Sequence, residues 1–367
     1  MRREINTQKS AQAWLSDLVA FDTRNGTGDE IALARFLKAV LEDFKPDQLI
    51  LDTVARRGAK FDSAYVLARW GQPKILLNVH IDTVPSGKGW EADPLILRQD
   101  GERLIGLGSS DIKGAAAAIL AALGREQPKD VAILFSGDEE HGSEVMPAVI
   151  RSGHIRDIPM AIVCEPTGCR IGQRHRGMLA FTAEFAGPGG HSSLSDHLGA
   201  PLLQASRFAA AIGDYGDAHK NFGEAPYKGL CVNIGEITGD GSYNVIPTHV
   251  DLKFSMRPPP GDSVANREAD IRETGKRMFE DIRLDTIVAF PPFQCKAIHA
   301  FEPYFGPFTP IDLPYWTEAA MLSGAGLNAV VFGPGDVEQA HKPNEYVTLS
   351  QLNVAQDVYR RALAGEV

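Results

Sequence analysis

Five segments of the sequence carry a side chain that can bind a metal ion. Two of these side chains are imidazoles and three are carboxylates, and each follows an apolar run or a glycine-rich turn; they are His80, Asp111, Glu140, Glu165 and His341. Such a set suits two zinc-like ions that share one carboxylate. The sequence contains no HExxH, GxSxG, P-loop or Rossmann glycine motif that would indicate a different chemistry. The set therefore predicts a site for two divalent cations.

His80 and Asp82 stand two residues apart at the end of the apolar segment KILLNVHID. Side chains at this spacing point to the same side of a strand. A carboxylate in that position can fix the orientation of a metal-bound imidazole. The alternative is a histidine and an aspartate that only hydrogen-bond each other in a turn.

The first two acidic segments each have a simpler interpretation when taken alone. Asp111 follows two serines and precedes a helix of small residues, where an N-terminal cap is the common role of an aspartate. Asp138, Glu139 and Glu140 follow the apolar strand in VAILFSG, and an acidic run is commonly a solvated loop. A cation site becomes more plausible for this run because it comes after a buried strand and before His141, Gly142 and Ser143.

Glu165 and His341 complete the set in the same way. Glu165 ends the apolar strand of AIVCEPTG, which Pro166 stops. A single loop histidine such as His341 is commonly a surface residue, although this one follows the last expected strand. The combined interpretation is favoured over the separate ones because five strand-end segments each offer a ligand.

Strands and helices that alternate must position these ligands. Buried strands are predicted at 75–79, 131–135, 161–164 and 329–332, and helices at 31–44, 112–123, 315–322 and 349–364. This order predicts an α/β domain with a mostly parallel sheet, of the phosphorylase/hydrolase-like kind. Such folds build their sites at the loops that follow the strands, which is where the five ligands lie.

A different order is predicted in the middle of the chain. Strand-like segments at 179–185, 230–237, 250–256 and 286–290 and helical segments at 200–212 and 265–282 follow one another as β-α-β-β-α-β. This is the ferredoxin-like arrangement. The sequence therefore predicts a discontinuous catalytic domain of residues 1–175 and 291–367, and an inserted α+β domain of residues 176–290.

Composition excludes several classes of function. The chain has 367 residues, which suggests two or three compact units, and its net charge of −10 has the wrong sign for binding nucleic acid or anionic membranes. Four cysteines without CxxC pairs form neither a zinc ribbon nor a disulfide framework. The N-terminus contains no secretory signal and no apolar run is long enough to span a membrane, so we expect a cytoplasmic protein.

The sequence resembles the family of co-catalytic metallohydrolases that includes acetylornithine deacetylase, succinyl-diaminopimelate desuccinylase, aminoacylases and carboxypeptidase G. The matching segments occur in the order of the family and span nearly the whole chain. They are HIDTVPSGKGW, GLGSSDIKGAAAAIL, FSGDEEHGS, CEPTG, GPGGHSS, NVIP, MRP and AHKPNEY.

This resemblance implies a role for each candidate residue. One metal would be held by His80, Asp111 and Glu165, and the other by Glu140, His341 and the bridging Asp111. Asp82 would orient His80, Glu139 would be the general base, and a cis peptide bond would follow Asp111. In the inserted domain, His191 would reach the active site of a partner subunit and stabilise the oxyanion, while Asn244 and Arg257 would contact substrate.

The activity implied is hydrolysis of the amide bond of a small N-acetyl amino acid, N-acetylornithine or N-acetylcitrulline, in arginine biosynthesis. Alternatives on the same scaffold are a desuccinylase and a dipeptidase or carboxypeptidase, and one of another class is a non-catalytic, metal-binding dimeric scaffold. We expect two Zn²⁺ ions, with Co²⁺ or Mn²⁺ as alternatives. We further expect a homodimer formed through the inserted domain, which would act as a lid and dimerisation domain.

Overall fold

The computed structural model describes residues 7–56, 61–194 and 200–365. The chain forms two compact units. The first unit comprises the residues up to Gln173, the segment Cys295–Leu313 and the residues from Thr317 onward. The second unit comprises Arg174–Gln294 and Pro314–Trp316.

The first unit contains helices and strands that alternate along the chain. Its helices are α1 (Ala11–Val19), α2 (Glu30–Glu42), α3 (Lys113–Leu123), α4 (Val145–Ser152), α7 (Glu302–Phe305), α8 (Ala319–Gly324) and α9 (Leu349–Ala364). Its strands are β1 (Gln48–Val54), β2 (Ser63–Trp70), β3 (Ile75–His80), β4 (Arg98–Asp100), β5 (Arg103–Ile105), β6 (Val131–Ser136), β7 (Met160–Val163), β16 (Ile311–Asp312), β17 (Asn328–Val331) and β18 (Tyr346–Thr348), and β8 (Gly172–His175) begins there.

The main sheet has the strand order β1-β2-β6-β3-β7-β17-β8. The four central strands, from β6 to β17, are parallel to one another, whereas β1, β2 and β8 pair in antiparallel fashion. The predicted α/β fold with a mostly parallel sheet is confirmed at this centre. A separate antiparallel sheet joins β18, β5 and β4.

The central parallel strands consist of continuous hydrophobic runs because both faces of the sheet are covered. Every residue of β3 and β6 is buried, as expected for strands covered on both faces. Helix α3 is likewise buried along its whole length, because its small alanine and glycine residues let it pack closely against α1 and α9. These elements form the core of the first unit and fix the strand ends that carry the candidate ligands.

The second unit contains two helices and a four-stranded antiparallel sheet. Its elements are β9 (Met178–Ala186), β10 (Gly190–His191), α5 (Pro201–Ala218), β11 (Cys231–Gly239), β12 (Val245–Ile246), β13 (His249–Arg257), α6 (Val264–Met278), β14 (Arg283–Phe290) and β15 (Phe293–Gln294). The strand order β11-β13-β9-β14 is that of a ferredoxin-like fold, which confirms the prediction. Residues of β9 and β13 alternate between buried and more exposed positions, because one face of the sheet packs on the helices.

One predicted helix is placed differently in the structure. The helix expected over residues 315–322 begins only at Ala319, and Pro314–Trp316 belong to the second unit. There the Trp316 indole N–H donates to the Pro291 carbonyl oxygen and its ring stacks on Phe290, with ring centroids 4.3 Å apart. Tertiary packing of one aromatic side chain therefore overrides the local helical pattern.

The four thiols lie in different environments. Cys164 is buried, Cys169 and Cys295 are half-buried, and Cys231 is exposed at the start of β11. Burial raises the pKa of Cys169 to about 12 and that of Cys295 to about 11. Within the described ranges, no helix is both long enough and apolar enough to cross a bilayer.

Candidate metal centre

His80 is the last residue of the buried strand β3, and its side chain is 1 % exposed. Its Nε2 lies 3.1 Å from Asp111 Oδ1 and 3.7 Å from Glu165 Oε2. Its Nδ1 lies 3.1 Å from the Asp82 carbonyl oxygen and 3.4 Å from Asp82 Oδ1. Asp111 and Glu165 therefore both lie near one nitrogen of the imidazole, and Asp82 contacts the other nitrogen.

Asp111 lies between the two histidines of the predicted set. Its Oδ1 is 3.1 Å from His80 Nε2, and its Oδ2 is 3.4 Å from His341 Nε2. Asp111 does not cap the following helix, because Ile112 is the N-cap residue of α3. The Asp111–Ile112 peptide bond is cis, as the family resemblance predicts. A carboxylate with one oxygen toward each imidazole has the arrangement needed to bridge two cations.

Glu140 and His341 both lie on loops. Glu140 follows β6, and its Oε1 lies 2.9 Å from His341 Nε2. His341 has a positive φ of 62° and a side chain that is 52 % exposed, whereas the Glu140 side chain is 9 % exposed. Ligand atoms of His80, Asp111 and Glu140 lie within 4.8 Å of one another, which is close enough to share a metal ion.

The neighbouring carboxylates raise the pKa values of both histidines. Hydrogen bonds to Asp111 and Glu140 raise the pKa of His341 to about 10. Burial alone would lower the pKa of His80, but Glu165 and the neighbouring aspartates raise it well above its usual value. Without a bound cation, the carboxylates thus favour the protonated form of both imidazoles.

The pKa values of the glutamates in the cluster are raised as well. Burial and the proximity of Asp111 raise the pKa of Glu140 to about 7. Burial also raises the pKa of Glu165, and burial together with Glu165 raises that of Glu139 well above the usual range. Buried carboxylates that repel one another need a compensating positive charge. Imidazole nitrogens and carboxylate oxygens at these distances fit one or more divalent cations.

Asp82 contacts more than the imidazole for which sequence reasoning singled it out. Its side chain is fully buried, and its two oxygens accept hydrogen bonds from the backbone N–H groups of Glu139 at 3.1 Å and Glu140 at 3.0 Å. The side-chain amide of Asn25 donates to Asp82 Oδ2 at 3.1 Å. Asp82 therefore holds the loop after β6 in place, and sequence reasoning missed Asn25.

Arg56 is a second residue that sequence reasoning missed. Its guanidinium donates to Asn25 Oδ1 at 3.2 Å and forms buried ion pairs with Glu30 at 2.8 Å and Asp138 at 3.4 Å. Asp138 in turn accepts from the backbone N–H of Glu144 at 2.9 Å. The first acid of the run after β6 is thus paired with an arginine, and only the second and third face the candidate metal centre.

Glu318 lies behind the candidate centre, near the end of β3. Its side chain is buried, and Ser136, which is paired with His80 across the sheet, donates to its Oε2 at 3.0 Å. Glu318 Oε1 and Asn78 Oδ1 are buried oxygens that no donor of the described residues satisfies. Burial raises the pKa of Glu318 to about 8, which favours its protonated form at neutral pH. No sequence motif indicated this residue.

Glu345 is a further buried carboxylate that sequence reasoning left without a role. It follows His341 by four residues in the segment AHKPNEY, and its side chain accepts hydrogen bonds from three backbone N–H groups of the loop that carries Asp111. Burial raises its pKa to about 8, although these hydrogen bonds act in the opposite direction. Its proximity in sequence to His341 was the one available signal.

The three remaining predicted residues belong to the second unit. His191 pairs with Val245 in the short β10–β12 ladder, next to Asn244, whose carbonyl oxygen accepts from the Ser192 backbone N–H at 3.1 Å. Arg257 ends β13, at the opposite end of that strand from the ladder. The second unit thus brings His191 and Asn244 together and holds Arg257 apart from both.

Comparison with known sequences yields two kinds of match. The model for "Peptidase family M20/M25/M40" matches residues 76–365. An N-acetyl-L-citrulline deacetylase of Xanthomonas campestris pv. campestris is 34 % identical, with 96 % of each chain covered. An acetylornithine deacetylase of Myxococcus xanthus is 28 % identical, with 98 % of each chain covered.

Solved structures share the fold at lower sequence identity. An M20 family metallo-carboxypeptidase, Sso-CP2 from Sulfolobus solfataricus, superposes with a TM-score of 0.75 at 16 % identity and covers 97 % of this chain and 99 % of its own. The Bacillus subtilis YXEP protein, described as a dinuclear metal-binding peptidase, superposes with a TM-score of 0.66 at 14 % identity over 96 % of each chain.

Proposed function

The chain belongs to peptidase family M20/M25/M40, and from this premise we propose that it is a metal-dependent amidohydrolase that acts on small N-acyl amino acids. The observation that carries the proposal is the position of Asp111, which presents one carboxylate oxygen to His80 and the other to His341. A buried cluster of this composition suits two cations and a water molecule between them.

The proposed ligands divide into two sets. His80, Asp111 and Glu165 would hold one cation, and Glu140, His341 and the shared Asp111 would hold the other. When bound, two divalent cations lower the pKa of a water molecule toward about 7 and polarise the acyl carbonyl group. We propose Zn²⁺, with Co²⁺ and Mn²⁺ as alternatives, because imidazole and carboxylate ligands accept all three.

Glu139 is the proposed general base. Asp82 fixes its backbone, and burial raises its pKa, which favours a carboxylate that accepts a proton from water. It would take a proton from the water as the C–O bond forms and pass it to the amine nitrogen as the C–N bond breaks. The products would be a carboxylate and a free amino acid, and His191 would donate a hydrogen bond to the oxyanion formed during attack.

The proposed substrates are N-acetylcitrulline and N-acetylornithine, which would place the reaction in cytoplasmic arginine biosynthesis. The deacetylases of Xanthomonas campestris and Myxococcus xanthus support this choice because they align along nearly the whole chain. Asn244 and Arg257 would contact the substrate, and the Arg257 guanidinium could bind the α-carboxylate through two hydrogen bonds. The alternatives are a desuccinylase and a dipeptidase or carboxypeptidase.

A substrate panel tests the proposal directly. The purified chain would be stripped of metal with a chelator, restored with Zn²⁺, Co²⁺ or Mn²⁺, and assayed on N-acetylcitrulline, N-acetylornithine, N-succinyl amino acids and dipeptides. We expect hydrolysis of an N-acetyl amino acid that disappears on chelation and returns with metal. Hydrolysis confined to dipeptides would favour the alternative, and no turnover with both cations bound would favour a non-catalytic scaffold.

We also propose that residues 176–290 act as a lid and pair two copies of the chain. His191 and Asn244 lie at one end of β13 and Arg257 at the other, eight residues or about 26 Å apart in an extended strand. One copy of this unit therefore presents the three residues to two separate places, whereas two copies could combine both ends around one small substrate.

The surface of the second unit supports such a pair. Strand β11 is an edge of its sheet, and its Ile234 and Ile237 side chains are both 38 % exposed. An open edge with exposed isoleucines favours pairing with another strand.

Ile234→Lys together with Ile237→Lys should convert a dimer to a monomer in analytical ultracentrifugation. A wild-type chain that is monomeric and fully active would remove His191 from the mechanism.

A further inference from the structure

The loop that carries Asp111 is held by a single buried carboxylate. The Glu345 side chain accepts from the backbone N–H of Gly108 at 3.0 Å, of Ser110 at 2.7 Å and of Asp111 at 2.9 Å. Glu345 is only 2 % exposed, so water does not compete for these donors. Three backbone N–H groups of a tight turn would otherwise be buried without a partner, which costs free energy.

The backbone of Glu345 holds the same loop from the other side. Its carbonyl oxygen accepts from the Gly106 N–H at 3.0 Å and from the Ser109 hydroxyl at 3.2 Å. The loop leaves β5 and Glu345 precedes β18, and these two strands pair with each other in antiparallel register, Tyr346 opposite Ile105. The strand pairing therefore fixes Glu345 directly beside the loop.

Glu345 also belongs to the segment that carries His341. Only three residues separate the two positions, and among them Asn344 accepts a hydrogen bond through its side-chain oxygen from the Glu91 backbone N–H at 3.1 Å. Asp111 and His341 are 230 positions apart in sequence, yet their carboxylate and imidazole come within 3.4 Å. The Glu345 side chain is a direct link between the two backbone segments that present these ligands.

We propose that Glu345 is a positioning residue that sets the affinity of the second cation site, the one formed by Asp111, Glu140 and His341. The inference rests on the metal centre of the proposed function. The first site depends less on Glu345, because His80 ends the buried strand β3 and Glu165 follows shortly after β7. The second site depends on it more, because two of its three ligands lie on segments that Glu345 joins.

The substitution Glu345→Gln tests this role while it keeps the size of the side chain. The Gln oxygen can still accept from Ser110 and Asp111, but its amide group would face the Gly108 N–H, donor against donor. Supporting partners of metal ligands typically contribute about 10- to 100-fold in metal affinity. We therefore expect the weaker of two cation-binding steps to lose affinity by about 10- to 100-fold. The tighter step should change less.

The measurement is isothermal titration of chelator-stripped protein with Zn²⁺ and with Co²⁺, which requires no substrate. Asp262→Asn is the matched control, because it removes a carboxylate that is 5 % exposed and pairs with Arg267 at 2.9 Å in the second unit. The thermal midpoint of each metal-free variant is recorded beside its titration. Glu345→Ala serves as the stronger variant, with a larger loss of affinity expected if it folds.

Four outcomes decide the matter. A selective loss in the weaker step for Glu345→Gln but not for Asp262→Asn supports the role. An unchanged weaker step in folded Glu345→Gln overturns it, and so does an equal loss in Asp262→Asn, which would reveal a general effect of destabilisation. A wild-type chain that binds only one cation would instead contradict the proposed metal centre, so the two failures are distinguishable.

Discussion

The two halves of the candidate metal centre are built in different ways. His80 ends one interior strand of the sheet and Glu165 follows another, and their side chains are nearly buried, 1 % and 7 % exposed. His341 lies on a loop, has a positive φ and is 52 % exposed. The first half is positioned by the packing of parallel strands. Asp111 and His341 of the second half lie on loops and require other contacts to position them.

Two carboxylates that bind no metal in the proposed arrangement supply those contacts. Asp82 accepts from the backbone N–H of Glu140, and Glu345 accepts from that of Asp111. In both cases an acidic side chain fixes the backbone of a ligand and leaves the ligand side chain itself oriented into the centre. Buried acids can therefore replace regular secondary structure as the support of a metal ligand.

The largest effect is expected for a residue outside both halves. Glu139→Gln preserves the size of the side chain and removes the proton acceptor, so kcat on an N-acetyl amino acid should fall by about 10²- to 10⁴-fold. Metal content should stay at the wild-type value, as measured by atomic emission. Wild-type turnover by a Glu139→Gln protein that holds its metal would contradict the general-base assignment.

Substitution of each histidine should remove a different cation and so distinguish the two halves of the metal centre. Removal of a ligand should weaken its cation by more than about 100-fold, beyond the typical effect of a supporting partner. His341→Ala should therefore leave one tightly bound cation per chain, whereas His80→Ala should lose the tighter one. Metal content after dialysis against a weak chelator measures this. Equal loss from both variants would mean that the two halves bind their cations as one unit.

Asp82→Asn should affect both halves by a smaller amount. The variant keeps one acceptor oxygen but places an amide group against the backbone N–H of either Glu139 or Glu140. We expect a loss of about 10- to 100-fold in activity at limiting metal, with partial recovery as the metal concentration is raised. If activity falls without any dependence on metal, Asp82 supports only the general base.

The smallest effect on activity is expected in the buried half, where a substitution should change how the stability of the protein depends on pH. Glu318 has a folded-state pKa of about 8 against an ordinary value of 4.5. The folded state then binds more protons than the unfolded state between these values, so stability is lost as pH rises from 4.5 to 8. Glu318→Gln removes this loss. In metal-free protein the variant should gain about 3 to 4 kcal/mol over wild type between pH 5 and pH 8 by urea unfolding.

A control for that measurement is available in the other unit. Asp262→Asn should lower the free energy of unfolding without the specific rise toward pH 8. If Glu318→Gln and wild type show parallel stability curves between pH 5 and pH 8, the carboxyl is ionised throughout this range. Its unpaired Oε1 would then need another explanation.

The sequence predicted those features that depend on local pattern. The buried strands that end near His80, Glu140 and Glu165 and the order of the ferredoxin-like unit follow from hydrophobic periodicity and turn residues. The supports of the site could not be found in this way. Glu345 and Gly108 are 237 positions apart, and Asn25 and Asp82 are 57 apart. Such pairs are set by tertiary folding, which leaves no periodic signal in a single sequence.

The exposure of Cys231 has a practical consequence. Thiolates react with maleimides, and burial raises the pKa of Cys164, Cys169 and Cys295, which keeps those three protonated and shielded. Cys231 is exposed, at the end of β11 that faces Arg257. A spin label or fluorophore can therefore be attached there without mutagenesis. In a pair joined along β11, two such probes would report their mutual distance and its change when substrate is added.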